Sequence, residues 1–147
     1  MDNLAGIYKR KGGVRYMDNI TVLLKDSGKD LYVKGEDIYY IESEHNNLVF
    51  VTKNGILNNK GTLKSILESL DKLNSPFCYI HRSYIVNLAH IKRRDENDLI
   101  MPNGKKVPIS KYKLWQFEQE YARYWNMEST IIDIKTGMLI KASPFIP

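Results

Sequence analysis

The cationic side chains of this 147-residue chain are concentrated in one stretch. Between Pro76 and Trp115 there are eight lysines and arginines against three acidic residues, an excess equal to the net charge of +5 of the whole chain. The cations are Arg82, Lys92, Arg93, Arg94, Lys105, Lys106, Lys111 and Lys113, and the acids are Asp95, Glu96 and Asp98. A local positive field favours a polyanionic partner such as nucleic acid, although a solvated basic surface has the same composition.

Residues suited to catalysis or metal binding are few. On a strand His81 and Ser83 would share a face, but no nucleophile elbow, orienting acid or oxyanion-hole glycines accompany them. The three histidines and one cysteine are scattered, without the spacing of a zinc or calcium site, and no glycine-rich phosphate loop is present. We therefore expect no enzyme activity, no catalytic residue, no metal and no cofactor.

The single cysteine and the hydropathy pattern indicate a cytoplasmic protein. Cys78 lies in the apolar run Phe77–Ile80 and cannot form an internal disulfide, so we expect a buried thiol in a reducing compartment. No run approaches the roughly 18 apolar residues of a membrane span, and no apolar stretch follows the basic N-terminus as in a secretory signal. We expect no membrane insertion.

The sequence predicts that strands position most of the cationic side chains and histidines. Ten tyrosines with many isoleucines and valines favour β-structure. Strand-like runs cover residues 20–24, 30–34, 37–42, 48–52, 56–59, 77–80, 99–101, 106–109, 130–135 and 138–141. Asn54-Gly55 and Asn103-Gly104 each stand between two such runs and predict hairpins with type I′ turns.

Two helices interrupt the strands. The first begins after the N-cap Thr62, with an apolar stripe of Leu63, Ile66, Leu67, Leu70 and Leu73. The second is predicted to begin at Ser110, with Leu114, Phe117, Tyr121 and Tyr124 on one face. Each is expected to cover a sheet. About forty residues separate them, so they do not form a helix-turn-helix pair.

Several motifs in order carry a resemblance to a known family. They are DIYYIES at residues 37–43, a polar loop at 44–47, the strand LVFV at 48–51, the helix from Thr62, FCYIHRSYIVN at 77–87, the Asn103-Gly104 hairpin and VPISK at 107–111. Over roughly residues 30–125 the chain resembles the LytTR (LytR/AlgR-type) DNA-binding domain of bacterial response regulators. The resemblance implies an elongated, mainly antiparallel β fold with two short covering helices, whose loops enter successive major grooves from one face of the duplex.

The resemblance also implies which residues contact DNA. The contact loops would hold His45, Asn46 and Asn47 in the first, Arg82 and Ser83 in the second, and Lys111 in the third, where Lys113 is a further DNA-binding candidate through a phosphate. Asparagine pairs with adenine and arginine with guanine O6 and N7, whereas Lys111 suits a phosphate or a single acceptor. Candidate phosphate contacts are Lys53, His81, Lys92, Arg93 and Arg94. His81 is equally suited to a structural hydrogen bond, and Asn87 is expected to satisfy local backbone groups.

These observations divide the chain into an N-terminal extension (1–29), a LytTR-type domain (30–126) and a C-terminal β-hairpin with a tail (127–147). The N-terminal lead is too short for the receiver domain of typical relatives, so we expect a stand-alone regulator or a fragment.

The predicted function is sequence-specific binding of double-stranded DNA for transcription regulation, by two copies at imperfect direct repeats near promoters. The alternative is a module that sequesters a related full-length regulator, with RNA binding a third interpretation. A homodimer on DNA, with self-association through the C-terminal hairpin, and a regulatory partner protein are further expectations.

Overall fold

Antiparallel strands dominate the computed structural model, which describes residues 9–10, 13–14, 19–73, 75–128 and 131–140. The strands are β1 (Lys9–Arg10), β2 (Gly13–Val14), β3 (Thr21–Asp26), β4 (Lys29–Lys34), β5 (Ile38–Glu44), β6 (Asn47–Thr52), β7 (Gly55–Lys60), β8 (Phe77–His81), β9 (Tyr84–Asn87), β10 (Arg93–Asp95), β11 (Asp98–Ile100), β12 (Lys106–Pro108), β13 (Ile131–Ile132) and β14 (Leu139–Ile140). The helices are α1 (Leu63–Asp71) and α2 (Leu114–Glu128), and 3-10 turns occupy Gly35–Asp37 and Leu88–His90. The mainly β fold with two helices is confirmed.

A five-stranded sheet in the order β7-β6-β5-β9-β8 forms the centre of the fold, and every pair in it is antiparallel. In its middle strand, Ile41 pairs with Phe50 on one side and Ile85 on the other. The next residue towards the N-terminus, Tyr40, pairs with Val51 and Val86. Because successive side chains point to opposite faces, these two sets line the two faces of the sheet.

Both faces of the central sheet are buried. The face with Ile41 and Phe50 packs with residues of α1 and of the β3–β4 hairpin, including Leu63, Leu70 and Leu24. The face with Tyr40 packs with β11, β12 and α2, through buried side chains that include Leu99, Val107, Phe117 and Tyr121. Since the faces are covered, loops at the ends of the strands are left to present polar side chains to a partner.

The helices match the predicted stripes, except that α1 ends at Asp71, before Leu73, and α2 begins later than predicted. Thr62 caps α1 as predicted, because its hydroxyl accepts a hydrogen bond from Ser65 N at 3.3 Å. The predicted start of the second helix at Ser110 is wrong, since α2 begins at Leu114. Ser110 N donates to Ile80 O at 2.8 Å, and Ser110 Oγ accepts from Tyr112 N at 3.3 Å. These bonds hold Ser110 against β8 and form a turn before the helix.

The two Asn-Gly hairpins are present, but the predicted type I′ turns are wrong. Thr52 pairs with Gly55, so the loop residues are Lys53 and Asn54, and neither has a positive φ. In the second hairpin only Gly104 has a positive φ, at 86°, and Gly104 N donates to Met101 O at 2.8 Å. A loop with positive φ at both residues occurs instead in the β3–β4 hairpin, at Ser27 (52°) and Gly28 (79°).

Two further hairpins bear on the predicted domain boundaries. The β3–β4 hairpin pairs Thr21 with Lys34 and Asp26 with Lys29, so the boundary predicted between residues 29 and 30 falls inside it. Near the C-terminus Ile131 pairs with Ile140, in a hairpin with fewer residues than predicted. Predictions for residues 1–8, 11–12, 15–18, 129–130 and 141–147 lie outside the described residues. Neither helix in the described ranges combines the length and apolar character needed to cross a membrane.

Candidate nucleic-acid interface

Three loops lie side by side at one end of the central sheet, beyond the last residues of β5 and β8. They are the β5–β6 turn at His45–Asn46, the β8–β9 turn at Arg82–Ser83, and the segment that begins at Ser110 after β12. Ser43 N donates to Ser83 O at 2.8 Å, which joins the first two turns. The bond from Ser110 N to Ile80 O, also 2.8 Å, places the third segment beside the end of β8. We call these three loops the contact edge.

The strand order sets the spacing of the contact edge. Neighbouring strands lie about 4.8 Å apart, so the first two turns are separated by about 10 Å and the Ser110 segment lies about 7 Å further along. The predicted contact residues Asn46, Arg82 and Lys111 are therefore brought to one side of the protein, in that order along the edge. All three side chains are exposed.

The first turn is held in a well-defined conformation. His45 has a φ of 59°, and Asn46 O accepts a hydrogen bond from Gly61 N at 3.0 Å. Asn47 begins β6 and pairs with Glu44 on one side and Lys60 on the other. With the backbone fixed on both sides, the exposed side chains of His45, Asn46 and Asn47 are left to project from the edge.

The second turn is supported by His81. Ser83 N donates to His81 Nδ1 at 3.0 Å, and the His81 ring lies 5.6 Å from the ring of Tyr84. Because Nδ1 accepts, the imidazole carries its hydrogen on Nε2. His81 thus makes the structural hydrogen bond considered in the sequence analysis, while its phosphate contact remains a prediction. No carboxylate in the described part of the chain forms an ion pair with the exposed Arg82.

The third segment presents lysines in two different settings. Lys111 is exposed and its ammonium lies 5.6 Å from the centre of the Tyr112 ring. Lys113 is half-buried and its ammonium lies 4.3 Å from the centre of the Tyr79 ring on β8, within cation–π distance. Lys111 is therefore the more accessible of these two predicted DNA contacts.

The candidate phosphate contacts are not gathered at the contact edge. Lys53 lies in the β6–β7 turn at the opposite end of the sheet, with Nζ 3.3 Å from Asp37 Oδ1. Lys92 and Arg93 are exposed beside the small β10-β11-β12 sheet, and their phosphate contacts remain predictions. The side chain of Arg94 is half-buried, unlike that of its neighbour Arg93. Its guanidinium is 3.1 Å from Glu118 Oε2, and its Nε donates to Glu96 O. Arg94 therefore contributes to the fold.

A polar cluster missed by the sequence analysis lies behind the contact edge. Tyr84 OH donates to Glu42 Oε2 at 3.2 Å, and Asn103 Nδ2 donates to Tyr40 OH at 3.1 Å. Burial and the Glu42 carboxylate raise the pKa of Tyr84, so it stays neutral. Tyr84 and Glu42 in turn raise the pKa of Lys105, which keeps its charge. Lys105 thus offsets the negative charge of Glu42 behind the loops.

A second missed group borders the first turn. Lys25 and Ser27 of the β3–β4 hairpin lie near Asn58, Asn59 and Lys60 of β7, and Asn47 connects the group to the contact edge. The predicted hairpin between residues 48–52 and 56–59 brings Asn47 near Lys60, but their direct pairing depends on the loop at Lys53–Asn54, which the sequence did not predict. The sequence held no comparable signal for Lys25, whose position depends on how the β3–β4 hairpin packs on β7.

Comparison with known proteins identifies the family of the chain. Residues 28–121 match the LytTr DNA-binding domain family. The chain belongs to this family. A similar solved structure is the LytTr DNA-binding domain of a protein described as a methyl-accepting/DNA response regulator from Bacillus cereus. It is 28% identical, with a TM-score of 0.58, and the match covers 68% of this chain and 94% of that one. No curated protein matches the chain.

The LytTR match covers most of the described elements. It begins at Gly28, in the loop between β3 and β4, and ends at Tyr121 within α2. The three loops of the contact edge lie inside it. LytTR is a DNA-binding regulatory family and not a family of enzymes, and no cluster of potential metal ligands occurs within the described ranges.

Proposed function

We propose that this LytTR protein binds duplex DNA sequence-specifically through the contact edge and thereby regulates transcription. The observation that carries the proposal is the pair of backbone hydrogen bonds, Ser43 to Ser83 and Ser110 to Ile80, which gathers three polar loops at one edge. Both faces of the sheet are buried. The edge is therefore the part of the sheet best able to present side chains to the edges of bases.

The exposed side chains have chemistry suited to base reading. Arg82 offers a planar fork of donors that matches the O6 and N7 acceptors of guanine, and Asn46 offers the donor–acceptor pair that matches adenine. Lys111 carries a compact charge suited to a phosphate or a single acceptor. Each good bidentate pair discriminates against the wrong base by about 1–3 kcal/mol.

The length of the contact edge favours contacts in more than one groove. From the first turn to the Ser110 segment, the contact edge covers about three and a half strand spacings, or about 17 Å. This length exceeds the roughly 12 Å width of a major groove. We propose, as the LytTR resemblance implies, that the outer loops enter neighbouring major grooves from the two sides of the minor groove between them, which is about 6 Å wide. Two copies on one face of the DNA would then read paired direct repeats.

The first prediction concerns Arg82. Replacing Arg82 with alanine should weaken binding to the best duplex by about 5–150-fold, corresponding to about 1–3 kcal/mol, and should relax selectivity at one base pair. The measurement is the dissociation constant against a library of duplexes selected by the purified protein, followed over a range of salt. Affinity should fall steeply with salt, because bound phosphates release counterions.

Lys34→Ala is the matched control for this experiment. It also removes one exposed cation, but at the end of β4, beside the turn that leads into the start of β5 and away from the contact edge, so affinity and selectivity should stay as in the wild type. Unchanged base selectivity in Arg82→Ala would contradict the assigned role of Arg82. The sequestration alternative would be favoured if the wild type showed no salt-sensitive binding to any duplex but formed a stable complex with a related regulator.

A further inference from the structure

An open groove of about 430 Å³ lies next to the contact edge and is lined entirely by polar and cationic residues. They are Lys25, Ser27, Asn47, Asn58, Asn59 and Lys60. We call this the flank groove. Lys25 and Lys60 can supply two ammonium groups and Asn47 and Asn58 two amides, and none of the lining residues is acidic. Such a set of donors suits the oxygens of a phosphodiester.

The flank groove is built by contacts between two elements that are distant in the chain. Lys25 N donates to Asn59 Oδ1 at 2.7 Å, which fastens β3 of the hairpin to β7. Asn59 Nδ2 donates to Lys60 O at 2.8 Å. Asn59 therefore uses both ends of its amide to shape the groove, and the exposed ammonium groups of Lys25 and Lys60 are left on its rim.

The position of the flank groove continues the contact edge. Lys60 pairs directly with Asn47, the last residue of the first contact loop, so the groove begins where that loop ends. It lies on the side away from Arg82 and Ser110, because β7 and β8 are at opposite sides of the central sheet. A duplex laid along the contact edge would extend its sugar–phosphate backbone over Lys60 and then Lys25.

We propose that the flank groove binds the phosphate backbone of the duplex beyond the bases read by the first contact loop. This inference rests on the proposed function and extends its footprint at one end. It assigns the β3–β4 hairpin, whose first strand precedes the LytTR match, a direct role in DNA binding. The contact is independent of sequence, because phosphates carry no base identity.

One acidic residue opposes this contact in the free protein. Lys25 Nζ lies 2.7 Å from Asp30 Oδ1, and both side chains are largely exposed. An exposed ion pair of this kind contributes little to stability, so Lys25 can exchange the carboxylate for a phosphate at low cost. The Asp30 carboxylate nevertheless competes with the phosphate, and its removal should strengthen DNA binding.

The second prediction compares two double variants. Lys25→Ala with Lys60→Ala should lower the slope of log affinity against log salt by about 1.8, at about 0.9 for each phosphate that the variant no longer neutralises. If the variant and the wild type bind equally at 1 M salt, this change of slope makes the variant bind about 30-fold more weakly at 0.15 M salt, for all duplexes alike. The control, Lys34→Ala with Lys72→Ala, removes two exposed lysines at the end of β4 and at the C-terminal end of α1, neither of which lines the flank groove, and should behave as the wild type.

Two further measurements locate the contact. Asp30→Asn should tighten binding, whereas Asp71→Asn, which changes the net charge equally at the far end of α1, should not. Shortening the duplex from the end beside the first contact loop should weaken wild-type binding but leave the Lys25→Ala, Lys60→Ala variant unaffected. Circular dichroism of each variant checks that the fold is retained.

The outcomes separate this inference from the proposed function. If Arg82→Ala weakens binding while the two double variants match each other, the flank groove does not contact DNA and the contact edge still does. If the wild type binds no duplex, both proposals fail. If the Lys25→Ala, Lys60→Ala variant loses affinity for one sequence only, the groove reads bases and the phosphate assignment is wrong.

Discussion

His45 occupies the first position of the β5–β6 turn with a φ of 59°, a conformation that only a few per cent of non-glycine residues adopt. Histidine and asparagine accept this region more readily than most residues, and such conformations cluster at functional sites. The neighbouring bond from Gly61 N to Asn46 O holds the turn in place. At the scale of single residues, polar side chains at this edge are therefore presented by a constrained backbone.

Cys78 shows the opposite environment at the same scale, and it is the subject of the third prediction. Burial, with a smaller effect of the Glu120 carboxylate, raises the pKa of its thiol from 9.0 to about 12. The folded protein should resist alkylation of Cys78 at pH 8, while the unfolded protein reacts at once, because only the thiolate is nucleophilic. The measurement is modification by a thiol reagent with and without denaturant.

The raised pKa also predicts how Cys78 affects stability. The native state keeps its proton to higher pH than the unfolded state, so the contribution of the thiol is fully present below pH 9 and is lost progressively between pH 9 and about pH 12. Cys78→Ala, compared with the wild type over this range, isolates the effect from those of lysines and tyrosines. Rapid labelling of the folded protein at pH 8 would contradict the buried assignment.

At the scale of elements, Asn87 joins three segments. Its Nδ2 donates to Ile38 O at 3.0 Å and to Gly35 O at 3.3 Å, and its Oδ1 accepts from Ala89 N at 3.0 Å. The side chain is 1% exposed. It thus ties the end of β9 to the turn that precedes β5. The predicted role of satisfying local backbone groups is confirmed for Ala89, whereas the bonds to Gly35 and Ile38 join segments distant in the chain.

The fourth prediction follows from these hydrogen bonds. Asn87→Ala leaves buried carbonyl and amide groups without partners and should lower the free energy of unfolding by about 2–4 kcal/mol, since each unsatisfied group costs about 1–3 kcal/mol. Asn58→Ala, at an exposed position of β7, is the control and should change stability by less than about 0.5 kcal/mol. Urea unfolding measures both. Equal stability of the two variants would show that Asn87 is not the link described.

At the scale of the whole molecule, the small β10-β11-β12 sheet is attached to α2 through Arg94. The guanidinium lies 3.1 Å from Glu118 Oε2 and 5.9 Å from the centre of the Phe117 ring, while Arg93 beside it is exposed. Both elements also cover the same face of the central sheet. The two adjacent arginines therefore lie in different environments, and of these two candidate phosphate contacts only Arg94 has side-chain contacts with the described part of the fold that explain its position.

The fifth prediction uses this pair of arginines. Arg94→Ala should destabilise the protein by about 1–3 kcal/mol, because it removes charge-assisted hydrogen bonds from a partly buried side chain. Arg93→Ala should leave stability within about 0.5 kcal/mol of the wild type. Thermal or urea unfolding distinguishes the two. If Arg93→Ala were the more destabilising change, the assignment of the two side chains would be reversed.

The sequence by itself determined the features that depend on neighbours in the chain. The strand runs, the two hairpins, the Thr62 cap and the apolar stripes of both helices follow from local periodicity and turn chemistry. The order of motifs was enough for the LytTR resemblance. Turn type was not predictable, because the pairing of Thr52 with Gly55 moved the loop one residue from the expected Asn-Gly position.

Only the tertiary structure decided which cations share a surface. The contact edge depends on Ser43 meeting Ser83 and Ser110 meeting Ile80, residues 40 and 30 positions apart. Likewise the packing of the β3–β4 hairpin on β7 brought Lys25 beside Lys60, and the register of β10 turned Arg94 inward. Contacts between distant segments depend on the packing of whole elements, so residue type and spacing alone do not specify them.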